Sequence, residues 1–128
     1  MKDELLKQIQ KQLRKQFGKS PLDNEKHFNR ILNLIDPAKV VCGGNACPET
    51  LQIEPTVMDQ VTFEDAVMQE EIFGPVMPVL TFNSIDEVIR NVNSMAHPLA
   101  FYIFAQDKAI CEKVTSESVS YTHLRAHE

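Results

Sequence analysis

The 128-residue sequence is poor in several features that would mark a particular class of protein. It has no tryptophan, four glycines and only three cysteines. An odd and small number of cysteines does not suit a disulfide framework and favours a reducing compartment, so we expect a cytoplasmic protein. The net charge of −5 argues against a nucleic-acid partner, because there is no general basic excess to meet phosphates.

Long apolar runs and common catalytic signatures are also lacking. No stretch approaches the roughly 18 apolar residues that a membrane-spanning helix needs. Met1 leads into a charged amphipathic segment, which does not read as a secretory signal. A glycine-rich phosphate loop, a nucleophile elbow and a kinase signature are all missing. We therefore expect neither a membrane segment nor the enzymes that depend on those motifs.

Helical periodicity is the clearest pattern that the sequence does contain. Four segments carry apolar residues at helical spacing: 5–17, 28–35, 85–92 and 110–114. Gly18 stops the first, and the Asp36–Pro37 step stops the second because proline disfavours helix at the preceding residue. Ser84 forms a capping box with Glu87 for the third, and Asp107 is predicted to cap the fourth.

Strand patterns lie between these helices. Residues 39–44 read as a short strand that runs into a Gly43–Gly44 turn. Residues 51–57 alternate like a half-buried strand, with Pro55 at an edge or bend. Residues 76–82 and 99–105 are nearly all apolar, as in strands that are covered on both faces. We therefore predict an α/β fold with a largely parallel sheet and helices on both faces.

Metal binding is an alternative that the cysteines and histidines raise. Cys42 and Cys47 are separated by four residues, but no second pair lies at zinc-finger spacing, and a structural zinc needs four ligands. His123 and His127 would share a helix face, yet the sequence offers no third ligand beside them. The remaining candidates read as packing residues: His27, His97 and Cys111. No metal site is predicted.

The segment EEIFGPVMPVL, residues 70–80, sets two carboxylates, an aromatic ring and a Gly–Pro step against an apolar run. Ligands of parallel α/β sheets collect at the carboxyl ends of strands and in the adjoining loops. A carboxylate there can accept hydrogen bonds from vicinal ribose hydroxyls, and a ring two residues later can lie against a heterocycle. Gly74 permits close backbone approach and Pro75 stiffens the turn. The alternative is an ordinary charged loop with Phe73 in the core.

A family resemblance favours the ligand-binding interpretation. MQEEIFGPVMPVLTF resembles the Glu-Glu-Ile-Phe-Gly-Pro signature of the NAD(P)-dependent aldehyde dehydrogenases. The segments HFNRILNLID, VVCGG, LQIEPTVMDQV and HPLAFYIFAQD resemble further family segments in collinear order, so that the similarity covers residues 2–116. Pro78, and the direct step from the Gly–Pro pair into VMPVL, resemble the class 3 branch of fatty and aromatic aldehyde enzymes.

The resemblance implies a fold, a reaction and two site residues. Residues 1–117 would form part of the family's α/β catalytic domain, in a homo-oligomeric parent enzyme that uses NAD or NADP and an aldehyde. By motif position, Glu71 would hold the nicotinamide ribose hydroxyls and Phe73 would pack near the nicotinamide. Glu70 has no equivalent cofactor role and is expected to be structural. In the family, the aldehyde forms a thiohemiacetal with a cysteine, hydride passes to the cofactor, and water releases a carboxylic acid.

Other parts of the family pattern are not found in this sequence. The Gly-Gln-x-Cys segment with the nucleophile and the Glu-Leu-Gly-Gly-Lys segment with the general base are absent, so no catalytic residue is assigned. We therefore expect a fragment of a longer protein that is inactive alone. The alternative is a non-catalytic α/β binding or regulatory module. Residues 118–128 do not resemble the family, and we expect a foreign, disordered tail there.

Overall fold

The computed structural model describes residues 1–16, 21–96, 98 and 100–118. The chain divides into two compact units, Met1–Thr81 and Phe82–Glu128. The helices are α1 (Lys2–Gln16), α2 (Glu25–Leu34), α3 (Ile85–Ser94) and α4 (Lys108–Glu117). The strands are β1 (Val40–Cys42), β2 (Ala46–Cys47), β3 (Gln52–Ile53), β4 (Thr56–Met58) and β5 (Val76–Pro78). The predicted α/β class is confirmed, whereas the stop at Gly18 lies outside the described residues.

Helix α2 carries the centre of the first unit's core. It begins after Asn24, whose side chain accepts a hydrogen bond from the His27 backbone N–H at 2.9 Å. It ends at Leu34, shortly before the Asp36–Pro37 step that predicted its end. Its apolar face packs into one cluster with residues of the strands and loops, and the fully buried members are Phe28, Ile31, Ile53, Met58 and Val67.

Strand pairing in the first unit is mixed. The three-stranded sheet has the order β1-β4-β5, with β1 antiparallel and β5 parallel to the central strand β4. The parallel pairing is regular, from Thr56 opposite Val76 to Met58 opposite Pro78, whereas the antiparallel pairing has an irregular register. Strands β2 and β3 form a separate antiparallel hairpin. The single strand predicted over residues 51–57 is instead divided into β3 and β4, which lie in different sheets, with the predicted bend at Pro55 between them.

Two predicted apolar strands differ from expectation. The strand predicted over residues 76–82 is only three residues long, and Met77 and Phe82 are exposed. Residues 100–105 form no strand, and Tyr102 and Phe104 are 71% and 94% exposed. Apolar sequence makes a strand only where a neighbouring strand supplies hydrogen bonds, and in the described part of the chain none pairs with this segment.

In the part of the second unit that the structure describes, two short helices pack against each other. Ser84 accepts a hydrogen bond from the Glu87 backbone N–H at 3.2 Å and so caps α3, while the Glu87 carboxylate accepts from the Asn83 N–H at 3.0 Å. Asp107 caps α4 through Ala109, as predicted. Ile89 and Val114 are the buried apolar residues of this pair. None of the helices in the described ranges combines the length and apolar character that crossing a bilayer requires.

A buried carboxylate links α1 to the carboxyl end of β4. Asp59 is 9% exposed, and its Oδ2 lies 3.0 Å from Lys2 Nζ. Burial by itself raises the pKa of Asp59, but hydrogen bonds from Lys2 and from the Gln60 backbone outweigh it and hold the pKa below its ordinary value of 3.8. The ionised form is therefore the one that the folded chain favours.

We expect Lys2→Met to lower the free energy of unfolding by about 1–3 kcal/mol near neutral pH, because a buried carboxylate loses its partner. A carboxyl group with a depressed pKa contributes stability above its unfolded pKa and loses it as the pH falls through the folded pKa. The difference between wild type and variant should therefore shrink below about pH 4. Urea titrations across pH measure this, with the exposed Lys7→Met on the same helix as the control. If the difference in unfolding free energy between wild type and Lys2→Met does not change with pH, the ion pair between Lys2 and ionised Asp59 is not its cause.

Candidate functional site

The candidate site is the loop of residues 70–75, here called the EEIFGP loop, which runs directly into β5. It therefore lies at the amino end of that strand, where the Thr56 N–H donates to the Pro75 carbonyl at 2.8 Å. The rule that ligands collect at the carboxyl ends of parallel strands, which suggested the site, does not describe this position. The loop is placed instead by its contacts with α2.

Arg30 of α2 holds the first part of the EEIFGP loop. Its Nη1 donates to Glu70 Oε1 at 3.0 Å and to the Glu71 carbonyl at 3.2 Å. Its Nη2 donates to the carbonyl of Ile72. The planar guanidinium presents several donors in a fixed fork, which suits it to binding adjacent acceptors together. One side chain thereby fixes three consecutive residues.

His27 continues the same set of contacts one helical turn earlier. Its Nε2 lies 2.7 Å from the carbonyl oxygen of Phe73, and its Nδ1 lies 3.3 Å from Nε of Arg30. Arginine has only donors, so Nδ1 must accept and the proton must sit on Nε2, from which it is donated to Phe73. The neutral Nε2–H tautomer is therefore the form that satisfies both contacts.

Phe73 occupies a backbone conformation that side chains rarely adopt. Its φ is 49°, in the left-handed region, and 69% of the residue is exposed. A residue this exposed contributes nothing to the core. Backbone strain of this kind is a common feature of binding sites. The alternative of Phe73 in the core is wrong.

Gly74 explains why the loop can approach α2 so closely. A Cβ at this position would lie 2.8 Å from Cδ1 and 3.0 Å from Cγ1 of Ile31. Ile31 is fully buried, so it has little space to move aside. The absence of a side chain thus lets the loop backbone rest directly on the core face of the helix.

The two glutamates of the loop have different surroundings. Glu70 is paired with Arg30. Glu71 is exposed, its backbone carbonyl is bound by Arg30, and within the described ranges its carboxylate makes no hydrogen bond or ion pair. Its two oxygens can therefore accept hydrogen bonds from a ligand. The structure thus brings Glu71 and Phe73 together on a fixed backbone and leaves both side chains accessible.

Sequence reasoning missed Arg30 and His27. The interpretation of His27 as a packing residue left out its hydrogen bond to Phe73. The available signal was their i, i+3 spacing in HFNR, which puts them on one side of a helix beside the apolar positions 28 and 31. That spacing does not reveal a partner more than 40 residues away, and so the contact was not predicted.

The cysteines and the other histidines do not assemble a second site among the described residues. All three cysteines are free and half-buried, and the Cys47 thiol donates to a Glu49 carboxylate oxygen at 3.3 Å. No group of three or more His, Cys, Asp or Glu side chains in this part of the chain is arranged to hold a metal ion. The remaining candidates lie outside the described residues: His97, His123 and His127.

Comparisons with known proteins connect this loop to a family. The sequence matches the model of the aldehyde dehydrogenase family over residues 3–122, a range that includes the first residues of the tail predicted to be foreign. A 4,4'-diaponeurosporen-aldehyde dehydrogenase of Staphylococcus aureus is 38% identical, and the match covers 91% of this chain and 28% of the relative. The dimeric NADP-preferring aldehyde dehydrogenase of Mus musculus is 35% identical over 94% of this chain and 28% of its own length.

The fold agrees with these relatives. The solved structure of substrate-bound Staphylococcus aureus AldH matches with a TM-score of 0.85 and 35% identity, over 91% of this chain and 28% of that one. Curated relatives also include members of aldehyde dehydrogenase family 3 from Pongo abelii and Arabidopsis thaliana, in line with the predicted class 3 resemblance. The chain spans about 28% of the length of the first two relatives named above.

Proposed function

The chain belongs to the aldehyde dehydrogenase family, and from this premise we propose that it forms part of an enzyme that oxidises aldehydes to carboxylic acids with NAD or NADP. The observation that carries the proposal is the EEIFGP loop, in which an unengaged carboxylate and an exposed ring stand on a backbone fixed by Arg30 and His27. The exposure of Phe73 supports the proposal further, because an ordinary loop would be expected to cover a ring of this size, and 69% of the residue is open to solvent.

The residues of the loop fit a nicotinamide nucleotide. The Glu71 carboxylate can accept two hydrogen bonds from vicinal hydroxyls of the nicotinamide ribose. The Phe73 ring offers an apolar face to the nicotinamide side of the cofactor. When bound, NAD or NADP supplies the acceptor for the hydride that leaves the substrate. The proposed role of this chain is to bind the cofactor and orient its nicotinamide. Orientation matters because a small displacement of the reacting atoms strongly lowers the rate of hydride transfer.

The chain by itself is proposed to be inactive. Aldehyde oxidation through a cysteine adduct needs a thiolate, with an oxyanion hole and a general base close to it. Cys42, Cys47 and Cys111 are half-buried, and none of them lies on the EEIFGP loop. The parent enzyme is proposed to be a cytoplasmic homo-oligomer. The relative named as dimeric supports the assembly, and the three free cysteines support the compartment.

We expect the purified 128-residue chain to form no NAD(P)H with any aldehyde. A grafted enzyme, in which this chain replaces the matching segment of the Staphylococcus aureus AldH, should form NAD(P)H with an aldehyde that AldH oxidises. The absorbance of the reduced nicotinamide measures both. Turnover by the chain alone would contradict the need for outside residues. A folded but inactive grafted enzyme would contradict the proposed function.

A non-catalytic module is the second candidate, and the surface of unit 2 argues against it. Four large apolar residues of this small unit are exposed, and an independent module would be expected to cover most of them: Phe82, Met95, Tyr102 and Phe104. We therefore expect the isolated chain to bind a hydrophobic dye and to self-associate in light scattering. A monodisperse chain that unfolds cooperatively and binds no dye would favour the module.

A further inference from the structure

We propose that Arg30 and His27 are positioning residues, which set the conformation in which Glu71 and Phe73 meet the nicotinamide nucleotide. The inference rests on the proposed function of the EEIFGP loop and assigns the residues that act behind it. Neither side chain would touch the cofactor. Each acts through the loop backbone.

The pattern of acceptors is the first support. Three successive carbonyl oxygens, those of Glu71, Ile72 and Phe73, all accept hydrogen bonds from these two side chains. With three peptide carbonyls drawn to one helix, the loop has little freedom to rotate its peptide planes. Among the described residues the Glu71 carboxylate makes no hydrogen bond or ion pair, and Phe73 is 69% exposed. The contacts of Arg30 and His27 therefore fix the backbone without occupying the groups that would bind.

The position of the two donors on α2 is the second support. His27 and Arg30 alternate along α2 with Phe28 and Ile31, which are among the most buried residues of the chain. The donors therefore lie on a helix that the core holds in place. Because the loop is hydrogen-bonded to these donors, its position is fixed as well. A site needs such support because its first layer of residues is only as well placed as the groups behind it.

The contact between the two donors is the third support. Arg30 Nε lies 3.3 Å from His27 Nδ1, so the arginine fixes the histidine ring as the Nε2–H tautomer that can donate to Phe73. Glu70 in turn accepts from Arg30 Nη1 at 3.0 Å. The result is one connected network from Glu70 through Arg30 and His27 to the residue that carries the exposed ring.

The first test measures the order of the loop in the grafted enzyme. In Arg30→Ala, hydrogen–deuterium exchange mass spectrometry should show faster exchange in the peptide that covers the EEIFGP loop and β5, while circular dichroism stays unchanged. Arg90→Ala, which removes an exposed arginine from α3, is the matched control and should change none of these. A loop that is equally ordered in wild type and Arg30→Ala would overturn the proposal.

The second test measures function in the grafted enzyme. Arg30→Ala should lower the single-turnover rate of hydride transfer about tenfold, with the KM for aldehyde little changed. If Arg30 acts through Glu71 and Phe73, the double variant Arg30→Ala/Glu71→Ala should be less than about threefold slower than Glu71→Ala alone. Fully multiplicative effects would overturn the positioning role.

A pair of variants at His27 separates positioning from packing. His27→Gln keeps an amide donor that can reach the Phe73 carbonyl, whereas His27→Leu keeps volume and loses the donor. The glutamine variant should retain most of the hydride-transfer rate and the leucine variant should lose it. Equal rates in both would overturn the role of the histidine.

The outcomes distinguish this inference from the proposed function. If the folded grafted enzyme is inactive, the proposed function fails. If it is active and Glu71→Ala leaves its rate unchanged, the cofactor-binding role of Glu71 fails, and the inference that rests on that role fails with it. If Glu71→Ala is slow while the Arg30 and His27 variants are as fast as wild type, the positioning role alone is wrong. Should the grafted Arg30→Ala protein not fold, the His27 pair still decides whether the donors act by positioning the loop.

Discussion

Replacement of Glu71 by alanine is expected to slow hydride transfer in the grafted enzyme by about 5- to 150-fold, the effect of losing about 1–3 kcal/mol from charge-assisted hydrogen bonds. The carboxylate is exposed and unengaged in the described structure, so its removal breaks no internal contact. A loss of rate would therefore report on ligand placement and not on stability. Stopped-flow absorbance under single-turnover conditions measures the step directly.

Glu70→Ala is the matched control for this experiment. The two glutamates are neighbours of the same type on the same loop, but only Glu70 is paired, with Arg30 in a partly exposed ion pair. Such ion pairs contribute little to stability, typically about 0–1 kcal/mol. The contacts of Arg30 with the loop carbonyls also do not depend on Glu70. We expect a change of less than about threefold. An effect equal to that of Glu71→Ala would show that the assignment of the two glutamates is wrong.

Gly43→Ala is expected to give the largest loss of stability, more than about 3 kcal/mol, from two effects at one residue. The φ of Gly43 is +77°, where an L side chain is strained by about 1–2 kcal/mol. The added Cβ would also lie 2.1 Å from the Pro55 carbonyl oxygen, which is backbone and cannot swing away. Pro55 directly precedes the central strand β4, so relief of the clash disturbs its pairing with β5.

Gly44→Ala is the control that separates the cost of backbone strain at positive φ from the cost of the steric clash with Pro55. Gly44 has a φ of +92°, but the nearest atom to its added Cβ is a side-chain carbon of Val40 at 3.3 Å. The expected loss is about 1–2 kcal/mol, the backbone strain alone. Urea unfolding of both variants, followed by circular dichroism, measures the difference. Equal losses would mean that the close approach to Pro55 is not important.

Local features were predictable from the sequence because their partners are close in the chain. The caps at Ser84 and Asp107 bind backbone groups two or three residues away, and the end of α2 before Asp36–Pro37 follows from steric exclusion at the next residue. The Gly43–Gly44 turn likewise uses the freedom of glycine at positive φ. The EEIFGP signature is contiguous, so it identified the family without any knowledge of the fold.

Features that need distant partners were predicted less well. The apolar run at 99–105 has the composition of a strand, but in the described part of the chain it has no neighbour with which to pair. The run at 76–82 pairs only over Val76–Pro78, where β4 lies alongside. The strand prediction therefore depended on which segments fold next to each other, and composition does not supply that.

By itself, the sequence determined the α/β class, the end of α2, the caps of α3 and α4, and the loop that carries Glu71 and Phe73. Only the tertiary structure showed that Phe73 lies at a positive φ and is exposed, and that Arg30 and His27 bind the carbonyl oxygens of the loop. The physical reason is one of range. Caps, turns and signatures are decided by contacts within a few residues. The contacts of Arg30 and His27 with the loop join residues 40 or more positions apart, and packing of α2 on the core brings them together.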